Sequence, residues 1–104
     1  MNFQTYLVTE ARFSTHSTLQ TVEAAIDGGI DVVQLREKAA SVRERYDLGR
    51  QLREVTRAAD VPLIVNDRVD LAAAIDADGV HLGDDDLPVA AAREQLGEEA
   101  LIGR

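Results

Sequence analysis

The sequence predicts an α/β fold of four strand–helix units that ends in a fifth strand. Three observations carry that expectation. Short runs rich in Val, Leu and Ile recur very roughly every 20–30 residues, and a segment with apolar residues at helical spacing follows each. The connections are short and hold Gly, Pro, Asn and Asp, the residues that punctuate regular structure. The apolar content is aliphatic, 45% hydrophobic with only 4% aromatic, which suits a core of Val, Leu, Ile and Ala.

The elements follow in order. Residues 5–9 read as a short buried strand. Residues 18–27 place Leu19, Val22, Ala25 and Ile26 on one helical face, and Gly28-Gly29 ends that helix. Residues 30–35 form a second strand. Ser41, with Glu44 three positions on, forms a capping box for a helix running to about residue 59. Residues 62–65 are a third strand and 69–75 a short Ala-rich helix. Residues 79–82 are a fourth strand. Pro88 suits a first helical turn, and the helix it opens runs to Leu96 before Gly97 stops it. Leu101-Ile102 begins the fifth strand. Strict β–α alternation argues for parallel strands joined by right-handed crossovers. The residues alone leave two architectures open, an open doubly wound sheet and a segment of a (β/α)₈ barrel, of which four units are half. No Gly-rich loop follows the first strand, so a Rossmann dinucleotide site is disfavoured.

Composition excludes several function classes. The chain has no cysteine, so disulfides and thiolate chemistry are ruled out. No apolar run approaches the roughly 20 residues that span a bilayer, and residues 1–5 lack the basic-then-apolar form of a signal peptide; a cytoplasmic protein is expected. The net charge of −8 argues against nucleic-acid binding. It is unevenly placed, with six basic and seven acidic residues in 1–52 against five and twelve in 53–104. Low lysine with abundant Asp and Glu also suits a high-salt cytoplasm.

Polar groups collect at strand ends, where α/β proteins bind ligands. The second strand runs into Gln34-Leu35-Arg36-Glu37-Lys38, and Lys38 is the only lysine among 11 basic residues. A guanidinium and an ammonium two positions apart suit a phosphate or pyrophosphate, one fork-shaped and one point-like. Glu37 alternates out of phase with them. The third strand ends Val65-Asn66-Asp67-Arg68, and the fourth ends His81-Leu82-Gly83-Asp84-Asp85-Asp86. Cations beside carboxylates recur where Mg²⁺ bridges phosphate oxygens. Each residue also has a plainer reading. Asn66 and Asp67 suit a helix cap, Asp84–Asp86 suit a solvated acidic turn with Asp86 as N-cap, and His81 within a strand suits a hydrogen-bonded structural histidine. His16 carries no signal. Three strand ends together favour the functional reading.

These motifs, with Gly79-Val80-His81-Leu82-Gly83 and Asp86-Leu87-Pro88, resemble thiamine phosphate synthase, within its superfamily with thiazole tautomerase; the likeness runs from about Tyr6 to Gly103. The resemblance implies a TIM (β/α)₈ barrel, of which residues 1–104 would form a single incomplete domain, the N-terminal half. It implies joining of hydroxymethylpyrimidine diphosphate to a thiazole phosphate, with release of pyrophosphate and Mg²⁺ as cofactor. It further implies that Gln34, Arg36, Lys38 and Asn66 contact the pyrimidine diphosphate and that Asp67 and Asp86 bind Mg²⁺. Asp84 departs from the family, which commonly has glutamine there. The family's second pyrophosphate-contacting lysine and most of its thiazole phosphate site lie beyond Arg104. Self-association or a partner half-barrel is therefore expected. Two other functions stand beside this one: a thiazole tautomerase-like isomerase, and a non-catalytic half-barrel that binds diphosphate or assembles with a partner.

Overall fold

The computed structural model describes residues 6–8, 15–36, 41–83 and 88–103. They form five strands and four helices in strict alternation: β1 (Tyr6–Val8), α1 (Thr15–Asp27), β2 (Val32–Leu35), α2 (Val42–Ala58), β3 (Leu63–Asn66), α3 (Val69–Ala74), β4 (Gly79–His81), α4 (Val89–Leu96) and β5 (Leu101–Gly103). The strands make one parallel sheet in the order β1-β2-β3-β4-β5. This is the parallel (βα)₄ unit with a fifth strand that the alternation predicts.

Element boundaries follow local chemistry. Ser41 Oγ accepts from the Glu44 amide at 3.0 Å, and Glu44 Oε1 accepts from the Ser41 amide at 3.3 Å, completing the expected capping box on α2. The second strand begins at Val32 rather than residue 30, because the Ile30 amide still donates to Ala25 O in the closing turn of α1. The first helix begins at Thr15, three residues before its apolar spacing becomes readable. Pro88 sits at the N-cap of α4 with extended backbone (φ −58°, ψ 150°), one place outside the first turn, and its carbonyl accepts from Ala92 N. Gly97 ends α4 at φ +91°. Arg93 then ties the α4–β5 connection down: its Nη1 donates to the carbonyls of Ala100 (2.6 Å), Glu98 (2.9 Å) and Gly97 (3.3 Å).

The sheet has two unlike faces. Val33, Leu35, Leu63, Val65, Val80 and Leu82 turn toward the helices and form one core with Val22, Leu48, Leu52, Val69, Leu71, Ala72, Ile75 and Ala92. A fully buried aliphatic side chain contributes about 1.5–3 kcal/mol, so this layer holds the unit together. The alternate strand residues, Val32, Gln34, Ile64, Asn66, Gly79 and His81, face away from the helices. At the strands' N-terminal ends Asp78 acts as a brace. Its Oδ2 accepts from the Leu63 amide (2.7 Å) and from Arg53 Nη1 (2.6 Å), while its backbone joins Leu63 O and Leu101 N. A cavity of about 110 Å³ opens there beside Arg53, Arg57 and Asp60, but both arginines are paired, with Asp78 and Asp76. No helix among the described residues is long and apolar enough to cross a membrane.

Candidate functional site

The opposite ends of the strands bring the proposed site residues together. Alternation puts Gln34 and Arg36 on the helix-free face of β2, since Val33 and Leu35, which alternate with them, are buried in the core. On β3, Val65 points into the core and Asn66 does not. Gln34 Nε2 donates to Asn66 Oδ1 at 3.4 Å, a long bond between two half-buried amides on neighbouring strands. It leaves further donor and acceptor capacity on both side chains for a ligand. Arg36 is exposed one step beyond the last residue of β2.

Asp67 follows in an unusual backbone. Its φ is +69°, and the Arg68 amide donates to Asn66 O at 2.9 Å, closing a three-residue turn of the strained, positive-φ hand. The Asp67 amide donates across the sheet to His81 O at 2.8 Å, which pins the turn to β4. Left-handed backbone costs a non-glycine residue about 1–2 kcal/mol, though Asp and Asn tolerate it best. Strain of this kind collects at ligand sites. A half-buried carboxylate is a hard oxygen donor, and Mg²⁺ is usually held by one or two carboxylates with waters and substrate phosphates completing its shell. The donor chemistry of Asp67 therefore suits Mg²⁺, even though no group of three His, Cys, Asp or Glu side chains converges among the described residues.

The helix-cap reading of Asn66 does not hold. Arg68 occupies the N-cap position of α3, and Asn66 Oδ1 is turned to Gln34 instead. Arg68 is not a site cation either: its Nε and Nη2 donate to the two Asp70 carboxylate oxygens at 2.9 and 2.6 Å. That bidentate pairing holds the Asp70 carboxyl down at about 2. Lys38 and Asp86, and with them Glu37, Asp84 and Asp85, lie outside the described residues. His81 is exposed on the helix-free face. The alternation of His81 with buried Val80 and Leu82 was the sequence signal for that placement.

Comparison with known proteins places this geometry in a family. The family model for thiamine monophosphate synthase matches residues 5–104. The chain is 65% identical to a thiamine-phosphate synthase of Natronomonas pharaonis over 104 residues, covering 99% of this chain and 49% of that protein. It is 47% identical to one of Clostridium novyi, covering 99% of this chain and 51% of the relative. Among solved structures, thiamine phosphate pyrophosphorylase from Pyrococcus furiosus superposes with a TM-score of 0.77 at 38% identity, over 94% of this chain and 48% of that one. The chain thus spans about half the length of the curated relatives it matches. With its parallel half-barrel and its strand-end polar groups, the chain belongs to the thiamine monophosphate synthase family.

Proposed function

We propose that the chain is the donor-substrate half of a thiamine-phosphate synthase, a transferase of thiamine biosynthesis. It would bind hydroxymethylpyrimidine diphosphate, whose carbon–oxygen bond breaks to release pyrophosphate while a carbon–nitrogen bond forms to the thiazole phosphate. The observation that carries this reading is the convergence of Gln34, Arg36, Asn66 and Asp67 at adjacent strand ends in a member of this family.

Each residue has a task suited to its chemistry. The amides of Gln34 and Asn66 offer donors and acceptors to the donor substrate, and each already fixes the other's orientation. Arg36 and Lys38 offset the charge of the diphosphate, Arg36 as a planar fork and Lys38 as a point charge. Asp67 and Asp86 would hold Mg²⁺. When bound, the metal supplies Lewis-acid neutralisation of the leaving pyrophosphate. Fixed cations aimed at the developing negative charge lower the barrier without proton transfer. Residues 1–104 are then one incomplete barrel domain. Among the described residues β1 and β5 pair on one side only, and unpaired strand edges favour association. Self-association or a partner half would cover them, and the thiazole phosphate site would come from the other half of the barrel. A cytoplasmic location belongs to the same proposal, because the expected substrates are soluble phosphates.

Calorimetry with Mg²⁺ and the pyrimidine diphosphate is the test. Binding is expected in the unaltered chain, and Lys38→Ala or Asp67→Asn should weaken it about tenfold or more, the worth of a charge-assisted contact. Unchanged binding in both variants would overturn the site. Thiamine phosphate formation from both substrates, rather than isomerisation of the thiazole alone, separates the synthase from the tautomerase. A stable compact monomer on size exclusion would remove the paired-half element.

A further inference from the structure

The negative charge of the chain is not spread evenly over its helices. α2 holds five of the 11 basic residues and three of the 19 acidic ones. Helices α1, α3 and α4 together hold one basic residue, Arg93, against Glu23, Asp27, Asp70 and Glu94. Among the four described helices α2 alone is net positive, on a chain whose total charge is −8. Two copies of such a chain repel over most of their surface, and least at α2.

The outward stripe of α2 is also ordered. Arg43, Asp47, Arg50 and Glu54 are all exposed. At about 100° per residue they fall within about 60° of one another, opposite the buried Leu48, Leu52 and Thr56. Their spacing is four, three and four residues, and their charges run plus, minus, plus, minus. Reversing the helix keeps the spacing and inverts the signs. Two copies of α2 laid antiparallel, about a two-fold axis midway between Asp47 and Arg50, therefore set Arg43 against Glu54 and Asp47 against Arg50, each pair twice. The uniform rise of about 1.5 Å per residue brings both members of every pair to the same height. Centring the axis on Arg50 instead would set Arg50 on Arg50 and Arg43 on Arg57, so repulsion fixes the register.

The side chains are suited to this exchange. Arg50 Cζ lies 5.8 Å from the Tyr46 ring centroid, a cation–π contact that steadies the guanidinium. Arg43 Nε donates to Asp47 Oδ2 at 3.4 Å, a long bond between side chains 83% and 54% exposed, which costs little to replace. Arg57, next along the stripe, pairs with Asp76 of its own chain at 2.8 Å.

We propose that the outward face of α2 is a self-complementary docking surface for a second copy of this chain, an isologous antiparallel pair of α2 helices. It is independent of the donor-site reading. α2 packs on β2 and β3 from the side opposite the donor-site residues, so the interface is distinct from the β1 and β5 edges and uses none of the site residues. Exposed ion pairs are individually weak, so the dimer is a weak, reversible one. Salt acts on it in two stages. At about 0.1 M the screening length of about 10 Å damps repulsion between the two chains beyond the interface, while pairs in contact persist; at about 1 M, about 3 Å, the pairs are screened too.

Sedimentation equilibrium of the 104-residue chain tests this. At about 0.5 mM chain in about 0.1 M KCl a reversible dimer is expected, weakened about fivefold or more in about 1 M KCl. Arg50→Glu and Asp47→Arg should each be monomeric, since each sets like charges together twice. An equimolar mixture of the two should dimerise again, because the altered chains complement each other. Arg43→Glu and Glu54→Arg form a second such set, which carries the test should circular dichroism show a member of the first unfolded. A monomeric unaltered chain would overturn the proposal, as would dimers that persist in the single variants or mixtures of folded variants that stay monomeric. Persistent dimers would place the contact elsewhere, at the strand edges among other surfaces.

Discussion

Asp67 carries two demands that pull against each other, a carboxylate wanted at the strand end and a backbone at φ +69° that suits glycine better. Substituting both ways separates them. Asp67→Gly removes the carboxylate and relieves the backbone; Asp67→Ala removes the carboxylate and keeps the steric penalty without the local hydrogen bonding that helps Asp. Both should lose Mg²⁺-dependent diphosphate binding, yet the Ala variant should unfold at lower denaturant, by about 1 kcal/mol relative to Gly. Equal stabilities would mean the turn is unstrained. Three residues on, Asp70 gives a pH prediction. Its carboxyl is lowered from 3.8 to about 2, first by the hydrogen bonds from Arg68. A depressed folded-state value stabilises the fold above about pH 4 and loses that contribution as pH falls toward 2. The side chain is 62% exposed, so the effect is a surface one, below about 1 kcal/mol. Asp70→Asn should be slightly less stable than the unaltered chain at pH 7 and match it near pH 2, read by urea unfolding at each pH. The polarity of Asn66 and Asp67 at a strand end was legible in the sequence. The strain was not, because the turn is pinned to β4 by His81 O, a contact between residues fourteen apart. The placement of His81 was legible as well, in its alternation with buried Val80 and Leu82.

Elements were the most legible level because each rests on local chemistry. The Ser41–Glu44 box is visible as two residues and stands in the structure as two reciprocal hydrogen bonds. A boundary slipped at Ile30, whose amide still closes α1 on Ala25 O before β2 can begin, a turn bond that the apolar run hides. At Gly79 β5 approaches β4 too closely for a side chain, and no local pattern announces it. A Cβ on Gly79 would overlap Leu101 O, a backbone atom that cannot rotate away. Gly79→Ala should therefore push β5 off β4 and cost about 3 kcal/mol, at the upper end for overpacking. That is a large share of the 5–15 kcal/mol typical of a domain. The measurement is the denaturant midpoint, with hydrogen exchange of the Leu101 amide, which donates to Asp78 O, as the local reporter. A midpoint within error of the unaltered chain would show that β5 shifts freely, and that the Gly103–His81 register is not fixed by Gly79.

Across the whole molecule, 19 acidic residues against 11 basic give a charge of −8 on a chain of 104 residues. Like charges at that density repel, and repulsion opposes the compact state. Attractive pairs act the other way, but Arg43–Asp47, Arg57–Asp76 and Arg68–Asp70 are largely exposed and worth little each. The Arg53–Asp78 pair is better shielded, with the arginine side chain 13% exposed, so salt weakens it less. Added salt should then remove more repulsion than attraction. Raising KCl from about 0.1 M to about 1 M shortens the screening length from about 10 Å to about 3 Å, and the melting temperature of the chain should rise. Asp78→Asn separates the contributions: it removes the ion pair with Arg53 and weakens the side-chain tie between α2 and β3, while the backbone bonds of residue 78 to β3 and β5 stay, so it should melt lower at every salt concentration while keeping the same upward slope. A melting temperature that falls with salt in the unaltered chain would mean that its ion pairs, and not its excess charge, govern its electrostatics.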